Sequence, residues 1–291
     1  MRIAGCLMIA ALIPLHGADC CKDAVALVIA VSGRATAHPS GAAGAQLNPF
    51  DWLPQNSIVE VGTGASATLV LLNGHQYQLG AGVKATVTAN GLMPVSPKIQ
   101  ELPPLTPLPK PAPIADRGTT SGAVRFRSPN DIHNLYPRAG TFALPSRAKL
   151  QFSAVQGASA YEVTLEEDGD AILTLRESST SLTIPGDLLK AGTNYSWRVR
   201  AIGESGVLAE AAADFATISQ AGLQVRAAFE DALKSLDEAS RLALLGAVDL
   251  RLGLLAEASD EFRAAQRLKP DDPALRRAAD LAGKALEEPT R

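Results

Sequence analysis

The sequence predicts a multi-domain protein that combines an all-β N-terminal domain, a Pro-rich linker, a β-sandwich and a C-terminal α-helical segment. Short apolar runs separated by turn residues, over residues 24–92 and 120–218, are typical of strands. Proline is concentrated between them, in residues 93–119. Over residues 220–288 Gly and Pro become rare and apolar residues recur at helical spacing. We expect separately packed modules that offer surfaces, with no cleft where reactive side chains converge.

The composition excludes several classes of protein. Of the 291 residues, 46% are hydrophobic, which is enough to build cores, so a largely disordered chain is not expected. The formal net charge of −3 gives no long-range attraction to nucleic acid, and basic and acidic residues are interleaved in the helical segment. Aromatic residues at 4%, with 24 Gly and 19 Pro, favour small β-domains and linkers over one large enzyme core.

Residues 1–18 have the organisation of a cleavable signal peptide. Arg2 supplies the positive start, residues 3–15 are predominantly apolar, and Gly17-Ala18 places small residues at the cleavage site. The apolar run is too short to span a bilayer, and no later run has the roughly 18 apolar residues of a transmembrane helix. We therefore expect an exported protein of the periplasm or cell envelope, without a transmembrane helix in the mature chain. An uncleaved leader that tethers the N-terminus to the membrane is the alternative.

Two of the three cysteines, Cys20 and Cys21, would lie at the mature N-terminus. They allow either lipidation or a disulfide between chains in an oxidising compartment, because a disulfide between adjacent residues is strained. The residues Gly17-Ala18-Asp19 argue against lipidation, since they lack the apolar residue that lipidation expects three places before the cysteine.

The domain at residues 24–92 is predicted to contain five or more strands, at 24–31, 57–61, 67–72, 76–79 and 83–88. Asn73-Gly74 between two apolar strands predicts a hairpin, because the tight turn that this pair favours has positive φ at both central positions.

Residues 24–90 resemble the FecR-type periplasmic domain. The positions that carry the resemblance are Val31, Gly33, Leu53, Pro54, Val59, Val61, Gly62, Ala65, Ser66, Ala67, Leu69, Leu72, Asn73, Gly74, Tyr77, Leu79 and Val83. The founding members of that family carry a transmembrane helix and relay an iron-uptake signal to a sigma factor. No such helix is expected after the leader here, so the resemblance implies the periplasmic β-module alone.

The Pro-rich segment at residues 93–119 is predicted to be a semi-rigid spacer. Proline cannot donate to a strand ladder and biases the chain toward polyproline II, which extends by about 3 Å per residue. We expect this linker to hold two domains apart.

Residues 120–218 are predicted to form a β-sandwich. Between Tyr195 and Ala201 every second residue is apolar, whereas Ser196 and Arg198 would face outward. This alternation is typical of a strand in a sheet with one buried face.

The same segment resembles a fibronectin type III domain. The resemblance rests on Leu150, Phe152, Val155, Gly157, Ala158, Ala160, Tyr161, Val163, Leu189, Gly192, Tyr195, Trp197 and Val199. Tyr195 stands at the tyrosine-corner position of that family. Phe152 stands where the family often has tryptophan, and Trp197 would compensate from a facing strand. We expect Tyr195 and Trp197 to pack in the core and not to stack on a ligand.

Four helices are predicted at 221–236, 239–252, 255–268 and 273–286. Gly253 separates the second helix from the third. Asp272 is suited to cap the fourth helix and Pro273 to occupy its first turn.

The segment at 220–288 resembles a tetratricopeptide repeat, which has a period of 34 residues. The matching positions are Leu245, Gly246, Gly253, Ala258, Phe262, Ala265 and Pro270. Asp249 stands where that family usually has an aromatic residue. One repeat cannot bury its own face, so flanking helices, a partner or another copy of the chain must complete the stack. We predict that partner binding involves Asp249, Leu252, Phe262 and Arg263.

The sequence carries no motif that indicates catalysis or metal binding. None of its four histidines lies at metal-ligand spacing from another histidine or a cysteine, and the common hydrolase, metalloprotease, phosphate-loop and dinucleotide-binding motifs are missing. The acidic run at 166–170 lacks the ligand spacing of a calcium loop and is expected to be a solvated hairpin tip. We therefore expect a protein that is not an enzyme and needs no cofactor or metal.

These observations favour an exported, non-catalytic scaffold or adaptor of a bacterial cell envelope that binds other envelope proteins. One alternative is an envelope protein that binds peptidoglycan or another carbohydrate, for which Trp52 is the candidate aromatic platform. The other is a periplasmic signal-sensing component similar to the FecR family.

Overall fold

A computed structural model describes residues 23–40, 43–94, 98–105, 107 and 131–287. The chain divides into two compact units, Met1–Leu105 and Thr106–Arg291. The predicted signal peptide at 1–18 and both Cys20 and Cys21 lie outside the described residues.

The first unit is all-β, as predicted. Its described residues form ten strands: β1 Ala24–Ser32, β2 Ala35–His38, β3 Ala45–Gln46, β4 Trp52–Pro54, β5 Ile58–Val61, β6 Ser66–Leu71, β7 Gln76–Leu79, β8 Lys84–Val87, β9 Leu92–Pro94 and β10 Ile99–Leu102. They build two five-stranded sheets, in the orders β10-β7-β6-β1-β4 and β3-β2-β5-β8-β9. The alternation of buried and partly buried residues in β5 and β8 shows why these segments form strands with one face in the core.

The predicted hairpin between β6 and β7 is confirmed. The amide of Gly74 donates to the carbonyl of Leu71 at 2.9 Å, and the amide of His75 donates to the side-chain oxygen of Asn73 at 3.1 Å. Gly74 has a φ of 88°, whereas Asn73 does not have a positive φ. The expectation of positive φ at both residues of the pair is therefore wrong. The hydrogen bond from Gly74 to Leu71 makes Leu72 and Asn73 the central residues of the turn, and only Gly74, which follows them, needs a positive φ.

The predicted linker begins too early. Ile99–Leu102 forms β10, which pairs antiparallel with Gln76–Leu79 and extends the first unit to Leu105. The proline content of 93–119 hid this strand, but the four residues of β10 contain no proline and keep every amide available to a neighbouring strand. Most of the remaining predicted linker, at 108–119, lies outside the described residues, and so do residues 120–130 of the predicted sandwich.

The second unit begins with a β-sandwich. Its strands are β11 Phe142–Ala143, β12 Lys149–Gln151, β13 Ala160–Glu167, β14 Asp170–Glu177, β15 Ser181–Thr183, β16 Asn194–Gly203 and β17 Gly206–Thr217. One sheet has the order β11-β17-β16-β13-β14, and the other pairs β12 with β15. The acidic run at 166–170 forms the β13–β14 turn, where Asp168 and Gly169 have positive φ, so the predicted hairpin tip is confirmed.

The core of the sandwich contains both aromatic residues that were expected to pack there. Tyr195 and Trp197 are buried, and the hydroxyl of Tyr195 accepts a hydrogen bond from the amide of Lys190 at 2.8 Å. A hydroxyl bonded to the backbone a few residues upstream is the geometry of a tyrosine corner. The rings of Trp197 and Phe152 lie 6.3 Å apart, and the indole of Trp197 donates to the carbonyl of Pro137 at 2.8 Å. Core packing of both residues is thereby confirmed.

Four helices follow, close to their predicted positions. They are α1 Gln220–Ala232, α2 Glu238–Arg251, α3 Leu255–Leu268 and α4 Pro273–Glu287. The side chains of Ser219, Asp237 and Asp272 cap α1, α2 and α4 by accepting amide hydrogen bonds from the first turn. Gly253, at a φ of 75°, makes the turn between α2 and α3.

The helices pack directly on the sandwich, so the expectation that these two modules are separately packed is wrong. The residue before α3 is Leu254, which offers no capping side chain; instead the hydroxyl of Tyr136 accepts from the amide of Ala256 at 3.1 Å. Arg138 donates to the carbonyls of Ala285 and Leu286 at 2.9 and 2.8 Å. The sandwich therefore satisfies free backbone groups at the start of α3 and the end of α4.

Candidate functional site

The sandwich and the helices meet at an open groove, which we call the junction groove. It has a volume of about 1070 Å³ and lies between α1, α2, α3 and the short 3₁₀ turn Pro145–Arg147. Its apolar lining consists of Leu144, Leu223, Ala227, Leu242, Leu245 and Ala264. Its polar lining consists of Ser146, Arg147, Arg226, Glu230, Arg241, Asp260, Glu261, Arg263 and Arg267. The lining of the junction groove thus combines five arginines and three acidic residues with six apolar side chains.

A buried ion-pair cluster forms one wall of the junction groove. Arg226 of α1 donates from Nε and Nη2 to the two carboxylate oxygens of Asp249 in α2, each at 2.8 Å. The same Nη2 donates to Oε1 of Glu261 in α3 at 2.8 Å. The three side chains are 9%, 0% and 8% exposed, respectively. A bidentate pair of this kind is strong and directional, so the cluster fixes α1 against α2 and α3.

The two carboxyl groups of this cluster are held differently. Both oxygens of Asp249 accept hydrogen bonds from Arg226, whereas Oε2 of Glu261 has no hydrogen-bond partner among the described residues. Burial raises the pKa of Glu261 to about 9, and the Asp249 carboxylate adds to the rise. At neutral pH the cluster therefore carries one positive and one negative charge.

A second buried carboxyl group, Glu257, lies at the contact between α3 and the sandwich. Its side chain accepts from the amide of Leu144 at 3.4 Å, and its Oε2 has no hydrogen-bond partner among the described residues. Burial raises the pKa of Glu257 to about 7, with a further contribution from Asp249. Ionisation of Glu257 near neutral pH therefore places a charge inside this contact.

This carboxyl group should make the second unit less stable as pH rises from about 5 to 7. The pKa of Glu257 is about 7 in the folded chain against an ordinary value of 4.5, so in this pH window the folded state binds more protons than the unfolded state. The free energy of unfolding therefore falls as the pH rises through the window. Glu257→Gln keeps an acceptor for Leu144 but cannot ionise. It should match the parent near pH 5 and exceed its free energy of unfolding by about 1 to 3 kcal/mol near pH 8.

Urea titration of the full chain measures this difference, with Trp197 fluorescence as the signal in a Trp52→Phe background. The exposed Glu177→Gln, on β14, is the matched control and should follow the parent at every pH. A difference between Glu257→Gln and the parent that stays constant from about pH 5 to pH 8 would contradict the role of this carboxyl group.

The structure separates the four residues predicted for partner binding. Asp249, Leu252 and Phe262 are buried inside the second unit, and only Arg263 is exposed, on the lining of the junction groove. A fully buried side chain makes no direct contact with a partner, so direct binding through these three residues is corrected to a packing role. Binding through Arg263 stays a prediction.

Sequence reasoning missed the partners of Asp249. An acidic residue at a position that is usually aromatic was the only local signal of a buried cluster. Arg226 lies 23 residues away and Glu261 lies on the next helix, and nothing in their local pattern marks them as buried. Only the packing of α1 against α2 and α3 brings them together.

The described part of the chain holds no group of three or more His, Cys, Asp or Glu side chains that could bind a metal ion. Within the same residues, none of the helices has both the length and the apolar character needed to cross a membrane.

The fold defines a two-unit protein that is mostly β, with a four-helix segment docked on its second β-unit. No family model matches the chain, and no curated protein matches it. Among solved structures, the FN5 domain of Drosophila Lar matches at 16% identity, covering 32% of this chain and 99% of that domain, with a TM-score of 0.24. The chicken CNTN1 FN1–FN3 domains match at 11% identity, covering 64% and 56%, with a TM-score of 0.26. A structure named FN3tt matches at 19% identity, covering 30% and 87%, with a TM-score of 0.24.

Proposed function

We propose that this chain is an exported, non-catalytic scaffold or adaptor of a cell envelope, and that a protein partner docks in the junction groove. The observation that carries the proposal is the open groove of about 1070 Å³, whose lining combines apolar and arginine side chains from the sandwich and three helices. Protein-binding sites combine apolar with polar and charged side chains, and arginine is enriched in them.

The buried carboxyl pair of Asp249 and Glu261 in one wall of the groove is better explained by binding than by catalysis. Carboxyl groups with a shifted pKa in a cleft are also typical of active sites, so a catalytic role is the alternative. Both oxygens of Asp249 are occupied by Arg226, and the side chain of Asp249 is fully buried. A general base must reach the proton that it abstracts, and Asp249 has no free oxygen or open path for that purpose. The cluster is better explained as the device that sets the position of α1.

The envelope location is proposed from the sequence. It rests on the signal-peptide organisation of residues 1–18 and on the resemblance of residues 24–90 to the FecR-type periplasmic domain. The resemblance of 220–288 to a tetratricopeptide repeat supports a binding role for the helices. Fractionation of the producing cells, with mass spectrometry of the mature N-terminus, tests this part. A chain recovered in the cytoplasm with residues 1–18 intact would contradict it.

Filling the junction groove should abolish partner binding without unfolding the protein. Ala227 on α1 lines the groove and is exposed, so Ala227→Trp places a large ring in it at little cost in stability. The neighbouring Ala228 is also exposed but does not line the groove, which makes Ala228→Trp a matched control. We expect the parent chain and Ala228→Trp to cross-link to the same envelope proteins in similar amounts. With Ala227→Trp the amount of each cross-linked protein should fall at least tenfold.

Quantitative mass spectrometry of the cross-linked envelope fraction measures this reduction, and circular dichroism of each variant checks that the helices remain folded. Equal recovery of the same proteins with both tryptophan variants would remove the groove as the docking site.

A further inference from the structure

The charges around the junction groove are unevenly paired. Among its acidic residues, Asp260 is paired with Lys149, and Glu230 lies 3.4 Å from Arg226 and 3.8 Å from Arg241. Glu261 is bound by Arg226 and keeps its proton at neutral pH. The acidic side chains of the groove are therefore already neutralised by the protein itself.

Two arginines of the same groove have no such partner. Arg263 and Arg267 lie one turn apart on α3, and both are exposed on the groove lining. Neither makes a salt bridge or a side-chain hydrogen bond with any other residue that the structure describes. Residues four apart on a helix project from the same face, so the two guanidinium groups present a local excess of positive charge beside the groove.

The groove that these arginines line also contains apolar side chains. Leu223 of α1 and Leu242 of α2 are only half-buried, and Ala227 and Ala264 line the same groove. Apolar side chains of a partner that contact these residues would remove both apolar surfaces from water, which contributes favourable binding free energy. A partner that leaves these residues hydrated would gain little binding free energy from them.

We propose that the junction groove binds an acidic protein segment, whose apolar side chains contact Leu223 and Leu242 and whose carboxylates pair with Arg263 and Arg267. This inference rests on the proposed function and adds the chemistry of the partner. Charge complementarity selects such a segment over a neutral or basic one, because a basic segment would meet two unpaired arginines.

Three fluorescein-labelled peptides of equal length and identical apolar pattern test the inference. Their polar positions carry only Glu, only Gln or only Lys, and anisotropy titration with the full chain measures each affinity. We expect the Glu peptide to bind most tightly, the Gln peptide more weakly and the Lys peptide not measurably. The affinity of the Glu peptide should fall as salt is added, because exposed charge pairs are screened.

The double variant Arg263→Gln/Arg267→Gln should weaken binding of the Glu peptide by roughly tenfold, as expected for the loss of two exposed ion pairs. It should leave binding of the Gln peptide unchanged. Arg176→Gln, an exposed arginine of β14 that does not line the groove, is the matched control and should change neither affinity.

The outcomes separate the inference from the function on which it rests. Equal binding of all three peptides, abolished by Ala227→Trp, would overturn the acidic partner while keeping the groove as a docking site. Binding of the Glu peptide that survives Ala227→Trp would overturn both. Absence of Glu-peptide binding would overturn the acidic partner. A dimer of the chain that dissociates only with Ala227→Trp would assign the groove to a second copy instead.

Discussion

Replacing Arg226 by methionine is expected to lower the free energy of unfolding of the second unit by about 3 to 5 kcal/mol, because the change leaves the buried carboxylate of Asp249 without its cation. Arg226 supplies hydrogen bonds to both oxygens of Asp249 and one to Glu261, and no other cation is bonded to Asp249 among the described residues. Methionine keeps much of the side-chain volume, so the loss reflects charge and hydrogen bonding more than packing.

The cost should depend on pH in a defined direction. Burial raises the pKa of Asp249 and Arg226 opposes this rise, so in the variant the pKa rises further and the unpaired charge can be relieved by uptake of a proton. The destabilisation should therefore be smaller near pH 5 than near pH 8. Urea titration with Trp197 fluorescence in the Trp52→Phe background measures both values.

The matched control removes the whole charge pair. In the double variant Arg226→Met/Asp249→Leu no buried charge is left unpaired, and replacement of a buried ion pair by apolar residues is often close to neutral. We expect this variant to recover most of the stability that Arg226→Met loses. A single variant as stable as the parent, or a double variant as unstable as the single one, would contradict the proposed pairing.

Replacing Phe262 by alanine is expected to cost about 3 to 5 kcal/mol of unfolding free energy, the usual loss for a fully buried phenylalanine. Phe262 is 0% exposed, and its ring packs against Gly246 of α2 so closely that a Cβ at Gly246 would lie 3.1 Å from Cδ2 of the ring. The small residue on α2 and the large one on α3 therefore form one contact, and truncation of the ring leaves a cavity between the helices.

The same titration measures this loss, and Arg267→Ala is the matched control on α3. Arg267 is exposed, so its truncation should change the unfolding free energy by no more than about 0.5 kcal/mol. Equal stabilities for Phe262→Ala and Arg267→Ala would contradict the central role of the ring.

Because Phe262 is buried, a charged substitution there would unfold the helices and could not report on partner binding. Ala227→Trp is the appropriate probe for binding.

Elements of this protein that depend on local pattern can be predicted from the amino-acid sequence. The four helices follow from apolar spacing, from capping residues such as Asp272 and from Gly253 between α2 and α3. Helical and extended periodicities, turns and caps act over a few residues, which is why these elements can be predicted from their own segments. Short strands such as Ala35–His38 and Ile99–Leu102 were not predicted, because a segment of four residues is too short to show a clear periodicity.

The assembly of the second unit and the position of its groove depend on contacts between residues that are distant in sequence. The hydroxyl of Tyr136 accepts a hydrogen bond from the amide of Ala256 in α3, 120 residues later in the sequence, and Arg138 donates to carbonyls of α4 that lie 147 and 148 residues away. Arg226 and Glu261 meet across 35 residues. Such pairings depend on which faces of the formed elements are complementary in shape and charge. A local sequence pattern does not show which distant residue will be the partner.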